Sequence, residues 1–545
     1  MNNKKRRIMK HKYLFLAATM ALMLSGCAND DSSNEAQSNG KGHESSVQGL
    51  AEFTTDIVNR PTTRTSMEHS IKGGGKFFWE NSDKIHVIDD NGADQTSKVL
   101  SLTEKAASAK FYVPGKFDGD NYKVYYTGAN GTSYNRVTIA ANQSQSTPNS
   151  TTHFGVAGDC GTGTATREDD RFKFRIDHKA AYLCLLPYIT NAELGKNVYL
   201  KKIEISSNKT LAGTYDFDYN GLKSGSVTNS SMTVTLKTGS GNGLRLDYTK
   251  PDILNSYYVV IAPGKYILSI KFWIYDPVTK VEGAVTKNLK LIDFKVNTVT
   301  DIKADLTVHD YPANKYYMWD PSGEQYHCWS NAANYPKVNG EVGTSYANHN
   351  GGGVWYNNSI GDGTQPVRAT RYFWNCPNVN EIYWYVEYGD PYWDTSLWST
   401  MGHLYAGGIW LKRIHVIAVG HGGTSETNRK GPDGKDHTQG TDSWTHLTVS
   451  RHYTKKGRPS ASEIANYFYL PALCGYEPVK GVHRQGRLYG MGRIGAYWTK
   501  TSTPNAKPDA YRFSFDKDSV HVNSSRRSYA FHRWVADDDS YKLTK

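Results

Sequence analysis

Lys84-Ile85-His86-Val87-Ile88-Asp89-Asp90-Asn91-Gly92 is the stretch that decides the fold class. Ile85 and Val87 alternate with Lys84 and His86, and then four turn formers follow. That is the pattern of a half-buried strand running into a tight turn. The theme recurs on both sides. Upstream, Ala51, Phe53 and Ile57 are apolar on one parity, with Glu52, Thr54 and Asp56 on the other. Downstream come Lys110-Phe111-Tyr112-Val113-Pro114-Gly115 and Tyr122-Lys123-Val124-Tyr125-Tyr126. A second set begins near Phe172-Lys173-Phe174-Arg175-Ile176 and continues through residues 198–200, 232–236, 257–261 and 267–270. Short strands separated by turn signals predict β-sandwiches, and the length predicts two, over residues 50–170 and 171–310. The polar run 141–152 reads as a long exposed loop.

The chain ahead of the first strand decides where the protein resides. Lys4, Lys5, Arg6, Arg7, Lys10 and Lys12 precede an apolar stretch over residues 13–24. It is too short to span a bilayer comfortably and suits a secretory h-region, so residues 1–26 read as a signal peptide. The ending Leu24-Ser25-Gly26-Cys27 resembles a bacterial lipobox. That resemblance implies acylation of Cys27, cleavage before it, and an outer-membrane anchor of two or three acyl chains, enough for stable attachment. Residues 27–49 form a polar tether, too poor in apolar residues to offset chain entropy. Its Asp30-Asp31 pair resembles a surface-export signal of some gram-negative lipoproteins, and it equally suits a solvated linker.

Charge and cysteine usage narrow the function classes. The 545 residues carry a formal +12; six Lys/Arg without a single Asp/Glu lie in residues 1–26, which leaves +6 on the mature chain. That is mild, and no basic helix or aromatic-basic nucleic-acid motif accompanies it, so no nucleic-acid partner is expected. With Cys27 acylated, Cys160, Cys184, Cys328, Cys376 and Cys474 remain. An odd, scattered set is no disulfide framework, although one bridge stays open. No pair has metal-ligand spacing, and no metal or cofactor is expected.

Composition shifts after Asp310: eleven of the thirteen tryptophans lie beyond it. Strand signals thin, and glycine-rich loops such as Asn350-Gly351-Gly352-Gly353-Val354-Trp355 dominate. A capping box, Ser460 with Glu463, predicts a helix over residues 460–467. Residues 311–545 therefore read as a third, different domain.

The first two sandwiches resemble the fimbrillin family of gram-negative pilins. The carrying residues are Thr63-Arg64-Thr65, then Trp79, Asp83, Ile85 and Val87. His178, Ala180, Ala181 and Leu183 resemble the opening of the family's second sandwich, and residues 294–306 its closing strand. The resemblance implies two tandem transthyretin-like β-sandwich pilin domains in a mainly β chain. It also implies that an arginine-specific protease removes the first strand, over residues 50–58, and that a neighbouring pilin subunit fills the groove by β-strand addition. Arg60 precedes Pro61, so Arg64 is the better cut. The alternative is an edge strand that stays in place.

The last domain resembles an α+β C-type-lectin-like module. Tyr469-Leu470-Pro471-Ala472-Leu473-Cys474-Gly475-Tyr476, Gly495-Ala496-Tyr497-Trp498-Thr499 and the 526–535 segment follow its order. The calcium-dependent sugar motifs Glu-Pro-Asn and Gln-Pro-Asp are absent. A glycan or a protein ligand, on a host or bacterial surface, are both open.

Several signals only look catalytic. Gly490-Met491-Gly492-Arg493-Ile494-Gly495 spells a dinucleotide fingerprint, but a strand-like Tyr497-Trp498-Thr499 follows where a helix is needed. Asp433, Asp436 and Asp442 lack calcium-loop spacing. Trp384, Tyr388, Asp390, Tyr392, Trp393 and Asp394 are the expected ligand face, because flat rings stack on sugars or bury apolar partner surface. The carboxylates Glu387, Asp390 and Asp394 also suit a glycosidase, but no hydrolase scaffold supports one, so no enzyme is expected. The reading is a surface-exposed pilus subunit at the outer membrane and then in the fimbrium, a tip adhesin. The alternatives are a non-polymerising ligand-binding surface lipoprotein and, behind it, a glycan hydrolase.

Overall fold

The computed structural model describes residues 49–55, 66–312, 314–328, 353–358, 367–439, 447–478, 486–504 and 508–536. Cys27, Ile57, Arg60, Arg64 and Asp442 lie outside the described residues. The chain is mainly β, with short strands and few helices. No described helix is long and apolar enough to cross a membrane.

An eight-stranded sheet organises the N-terminal part. Its order is Asp94–Thr96, His86–Ile88, Asn121–Tyr126, Gly161–Glu168, Arg171–Phe174, Ala51–Thr55 and Lys110–Val113, with Asp177–His178 beside Gly161–Glu168. The alternating strands turn one parity inward, as in Lys110–Val113, where Phe111 and Val113 are fully buried. Phe53, Trp79, Ile85, Val87, Phe111, Val124, Phe172 and Ile176 share this core. Strand Arg171–Phe174, which the sequence groups with the second set, pairs here with Ala51–Thr55 and Gly161–Glu168.

The second core is larger and draws on residues from Met67 to Val308, together with Leu404. One of its sheets orders Tyr257–Ile261, Ala181–Tyr188 and Val299–Asp305. Another orders Val281–Asn288, Leu268–Asp276, Tyr199–Ser207, Thr233–Thr238 and Asn142–Gln145. Asn142–Gln145 corrects the expected long loop over 141–152. Gln143 and Gln145 are buried, and their amides bond the backbone of Val260, Tyr258 and Ser256. A polar side chain that completes a backbone ladder reads as loop in sequence and folds as strand.

Residues from Tyr311 to Ala536 build a third core, rich in aromatic residues. A five-stranded sheet (His309–Asp310, Tyr392–Thr400, His403–Lys412, Tyr467–Pro471 and Lys455–Lys456) lies alongside an eight-stranded one built mainly from Gly495–Ser502, Asp509–Phe515, Val520–Arg526 and Ala530–Arg533. Helix Val379–Tyr388 opens on a capping box in which Asn378 and Glu381 bond each other's backbone, and it buries Val379, Ile382 and Val386. The expected capping box does not form in the 460–467 segment: Ser460 Oγ donates to the Glu463 carboxylate at 2.6 Å, side chain to side chain, and only a 3-10 turn over Ile464–Asn466 follows. Tyr467 already starts a strand bonded to His403–Lys412, which ends the turn.

The third core is locked to the second by a buried carboxylate. Asp276, fully buried, accepts from His403 Nδ1 at 2.9 Å and from the Leu404 amide at 3.0 Å. Thr279 donates to the Leu404 carbonyl at 2.7 Å, and Leu404 enters the second core.

Candidate functional site

Strand Ala51–Thr55 is bonded on both edges. It runs parallel to Arg171–Phe174 and antiparallel to Lys110–Val113. Its alternation turns Phe53 into the core, where the ring stacks on Phe172 at 4.7 Å and meets the edge of Phe117 at 5.3 Å. Thr55 Oγ1 accepts from the Ala109 amide at 2.9 Å and from Trp79 Nε1 at 3.3 Å. Ala51 is half-buried, and Glu52 faces Lys110 at 3.3 Å. Five residues thus fill a slot between two strands. Taken out, they leave two unpaired ladder edges flanking an aromatic pocket, which is a template for another strand.

The six expected ligand residues divide into separate groups. Trp384 and Tyr388 lie one turn apart on helix Val379–Tyr388, 5.3 Å between rings, and His421 packs on both at 4.8 and 4.9 Å. Trp384 is buried, and its indole donates to the Lys430 carbonyl at 2.7 Å. Tyr388 is 47 % exposed, so it is the ring of this group that a partner can reach.

Asp390 and Tyr392 meet around Lys455. The ammonium is 2.6 Å from Asp390 Oδ1 and 4.8 Å above the Tyr392 ring. Asp390 Oδ2 also accepts from the Tyr467 hydroxyl at 2.7 Å and faces Lys412 at 3.3 Å. Burial pushes this carboxyl up, but Lys455, Tyr467 and Lys412 together hold it below its usual value. Trp393 is half-buried, edge-on to Phe515 at 6.4 Å. Asp394 is buried; it accepts from the Trp410 indole at 2.9 Å and faces Arg458 at 3.1 Å. Glu387 accepts from Arg451 Nε at 2.8 Å. Each carboxylate therefore has its own cation. A glycosidic general acid needs a raised value, and Asp390 moves the opposite way.

An open cleft of about 680 Å³ lies where the second and third cores meet, lined by Val285, Lys287, Asp305, His309, Leu397 and Arg458 among others. It was not legible in sequence, because its wall combines edge strand Val281–Asn288 with residues more than a hundred positions on. Arg458 is its link to the expected face, through Asp394.

No family model and no curated protein matches the chain. Among solved structures, it is similar to a provisionally assigned cell adhesion protein from Bacteroides ovatus, at 12 % identity over 47 % of this chain and 91 % of that one, TM-score 0.30. A fimbrial protein from Bacteroides ovatus matches at 9 % identity over 89 % of this chain and 98 % of that one, TM-score 0.24. The fimbrial anchor protein Mfa2 from Porphyromonas gingivalis matches at 8 % identity over 48 % and 91 %, TM-score 0.21. All three likenesses are remote.

Proposed function

We propose that this chain is a fimbrillin-type pilus subunit, a tip adhesin. Its precursor is anchored through Cys27, cut after Arg64 by an arginine-specific protease, and joined to other pilin subunits by strand exchange. The observation that carries the reading is the seat of Ala51–Thr55: a strand from the start of the folded unit, bonded on both edges, with Phe53 fully buried. An N-terminal strand in an interior position leaves a slot when it is removed, whereas an edge strand would leave none.

The end of the second sandwich supports the tip position. Val299–Asp305 pairs with Ala181–Tyr188 over seven residues, and His309–Asp310 joins the third core directly afterwards. A strand fixed in this way is not a free donor, while the slot left by Ala51–Thr55 can accept a partner's strand. A subunit that accepts and does not donate occupies one end of a filament.

The third unit, read as a C-type-lectin-like module, carries the ligand. Exposed Tyr388 beside His421, and half-buried Tyr392 under Lys455, offer aromatic surface to a surface glycan or protein, as does Trp374, 65 % exposed. The individually paired carboxylates favour binding over hydrolysis. Immunogold labelling with antibody to residues 311–545 tests the position. Gold at one filament end is expected, and gold along the shaft would overturn it.

A further inference from the structure

Three different metal-ligand side chains converge outside the surfaces described above. His69, Cys184 and Asp301 each place one ligand atom within 4.8 Å of the other two. His69 ends strand Ser66–His69; Cys184 lies in Ala181–Tyr188; Asp301 lies in Val299–Asp305. Cys184 and Asp301 are register partners across a parallel pair, so the sheet itself sets their spacing. His69 Nε2 lies 2.8 Å from Asp301 Oδ1. The His69 side chain is fully buried, Cys184 is fully buried, and Asp301 is 15 % exposed. Among the described residues the other ring nitrogen, His69 Nδ1, has no hydrogen-bond partner. The Lys72 amide donates to the second Asp301 oxygen at 2.7 Å, which fixes the carboxylate.

We propose that His69, Cys184 and Asp301 form a binding site for a zinc-class divalent cation that pins the Ser66–His69 hairpin to the second sandwich. One thiolate, one imidazole and one carboxylate suit zinc, which takes sulfur, nitrogen and oxygen donors at about 2.0–2.3 Å in a tetrahedron. Calcium and magnesium prefer oxygen alone. Tetrahedral bonds of that length put donor atoms roughly 3.3–3.7 Å apart, so the 2.8 Å His69–Asp301 contact must open by about 0.5–0.9 Å and any pair near the 4.8 Å limit must close by roughly 1 Å or a little more. His69 also lines an open pocket of about 250 Å³ between residues 66–69 and 147–152, and Asp301 is 15 % exposed, so the cluster lies close to the surface. Among the described residues Ser66–His69 pairs in its ladder only with Gly75–Phe78, so a metal bridge adds a strong tie to a hairpin otherwise held by packing and single hydrogen bonds. All three ligands follow residue 65, so the site does not depend on removal of the first strand.

The test uses the full chain, stripped with a chelator and titrated with cobalt as a spectroscopic substitute for zinc. A thiolate-to-cobalt charge-transfer band saturating at one equivalent is expected. Cys184→Ser should abolish it, and His69→Ala should weaken cobalt affinity by at least the roughly 10- to 100-fold that outer-shell partners alone cost. His69 sits on a short peripheral hairpin, so that variant keeps the test available if Cys184→Ser fails to fold. A chain that gives no charge-transfer band, or one whose band survives Cys184→Ser, would overturn the proposal. An unchanged affinity in folded His69→Ala would do the same, and would reduce the cluster to a buried His–Asp pair beside a thiol.

Discussion

Phe53→Ala is the sharpest perturbation of the slot. Phe53 is fully buried, stacked on Phe172 and edge-on to Phe117. Truncating a buried phenylalanine costs about 3–5 kcal/mol, part of it from lost ring–ring contacts. The backbone pairing of Ala51–Thr55 to both neighbours is left intact. In the uncut chain the loss appears as reduced stability of the core around Phe53, read from the urea midpoint. After cleavage at Arg64 the strand is no longer covalently attached, and the same energy becomes a loss of affinity. At 1.4 kcal/mol per decade, about 4 kcal/mol is close to a thousandfold. Gel filtration of the cleaved protein should therefore show the N-terminal fragment retained in the unmodified chain and shed from Phe53→Ala. A destabilisation under about 1 kcal/mol, with equal retention, would refute the claim that this ring anchors a removable strand.

Thr55→Val keeps the shape but leaves the Trp79 indole and the Ala109 amide without their shared acceptor, and should cost about 1–3 kcal/mol by denaturant unfolding. Asp276→Ala strips the partners of His403 and Leu404 and should cost about 3–5 kcal/mol, as removal of one member of a buried pair does. Burial pushes the Asp276 carboxyl up, but bonds from His403, Leu404 and Val278 outweigh it and leave it below its ordinary 3.8. Its stabilisation is therefore complete above pH 3.8 and lost as pH falls through the lower folded value, and acid unfolding of Asp276→Asn should lack that component. Tyr388→Ala should weaken adhesion without moving the melting temperature, whereas Trp384→Ala, which loses a buried ring and a hydrogen bond to Lys430, should destabilise the third core. Equal melting temperatures for the two would count against that division.

Much of the β-structure was legible because its strands are half-buried and alternate. Residues 84–88, 110–113 and 122–126 announce Phe111, Val113 and Val124 as core by parity alone. Elsewhere the signal was present but disguised. The capping box of Asn378 and Glu381 spans the first turn of a helix that buries Val379, Ile382 and Val386, yet the segment's β-branched and aromatic residues hide it. Ser460 and Glu463 bond each other's side chains instead of capping backbone amides, and strand pairing from Tyr467 leaves room for a single turn. The buried amides of Gln143 and Gln145 read as solvent-facing polarity, because their partners, the backbone of Ser256, Tyr258 and Val260, are more than a hundred residues away. The candidate ligand face shows the same limit. Proximity along 384–394 suggested one surface, whereas helix and strand geometry send Trp384 inward, Tyr388 outward and Trp393 toward Phe515. His69, Cys184 and Asp301 are each separated by more than a hundred residues, so no spacing motif could bring them together.

N-terminal sequencing of the protein recovered from the cell surface tests the central claim most directly. Cleavage after Arg64 with release of Ala51–Thr55 predicts a mature chain that begins at Thr65, with the first 64 residues absent from the assembled filament. A surface population that begins at an acylated Cys27 and retains Ala51–Thr55 would contradict strand removal, and with it assembly by strand exchange at this slot.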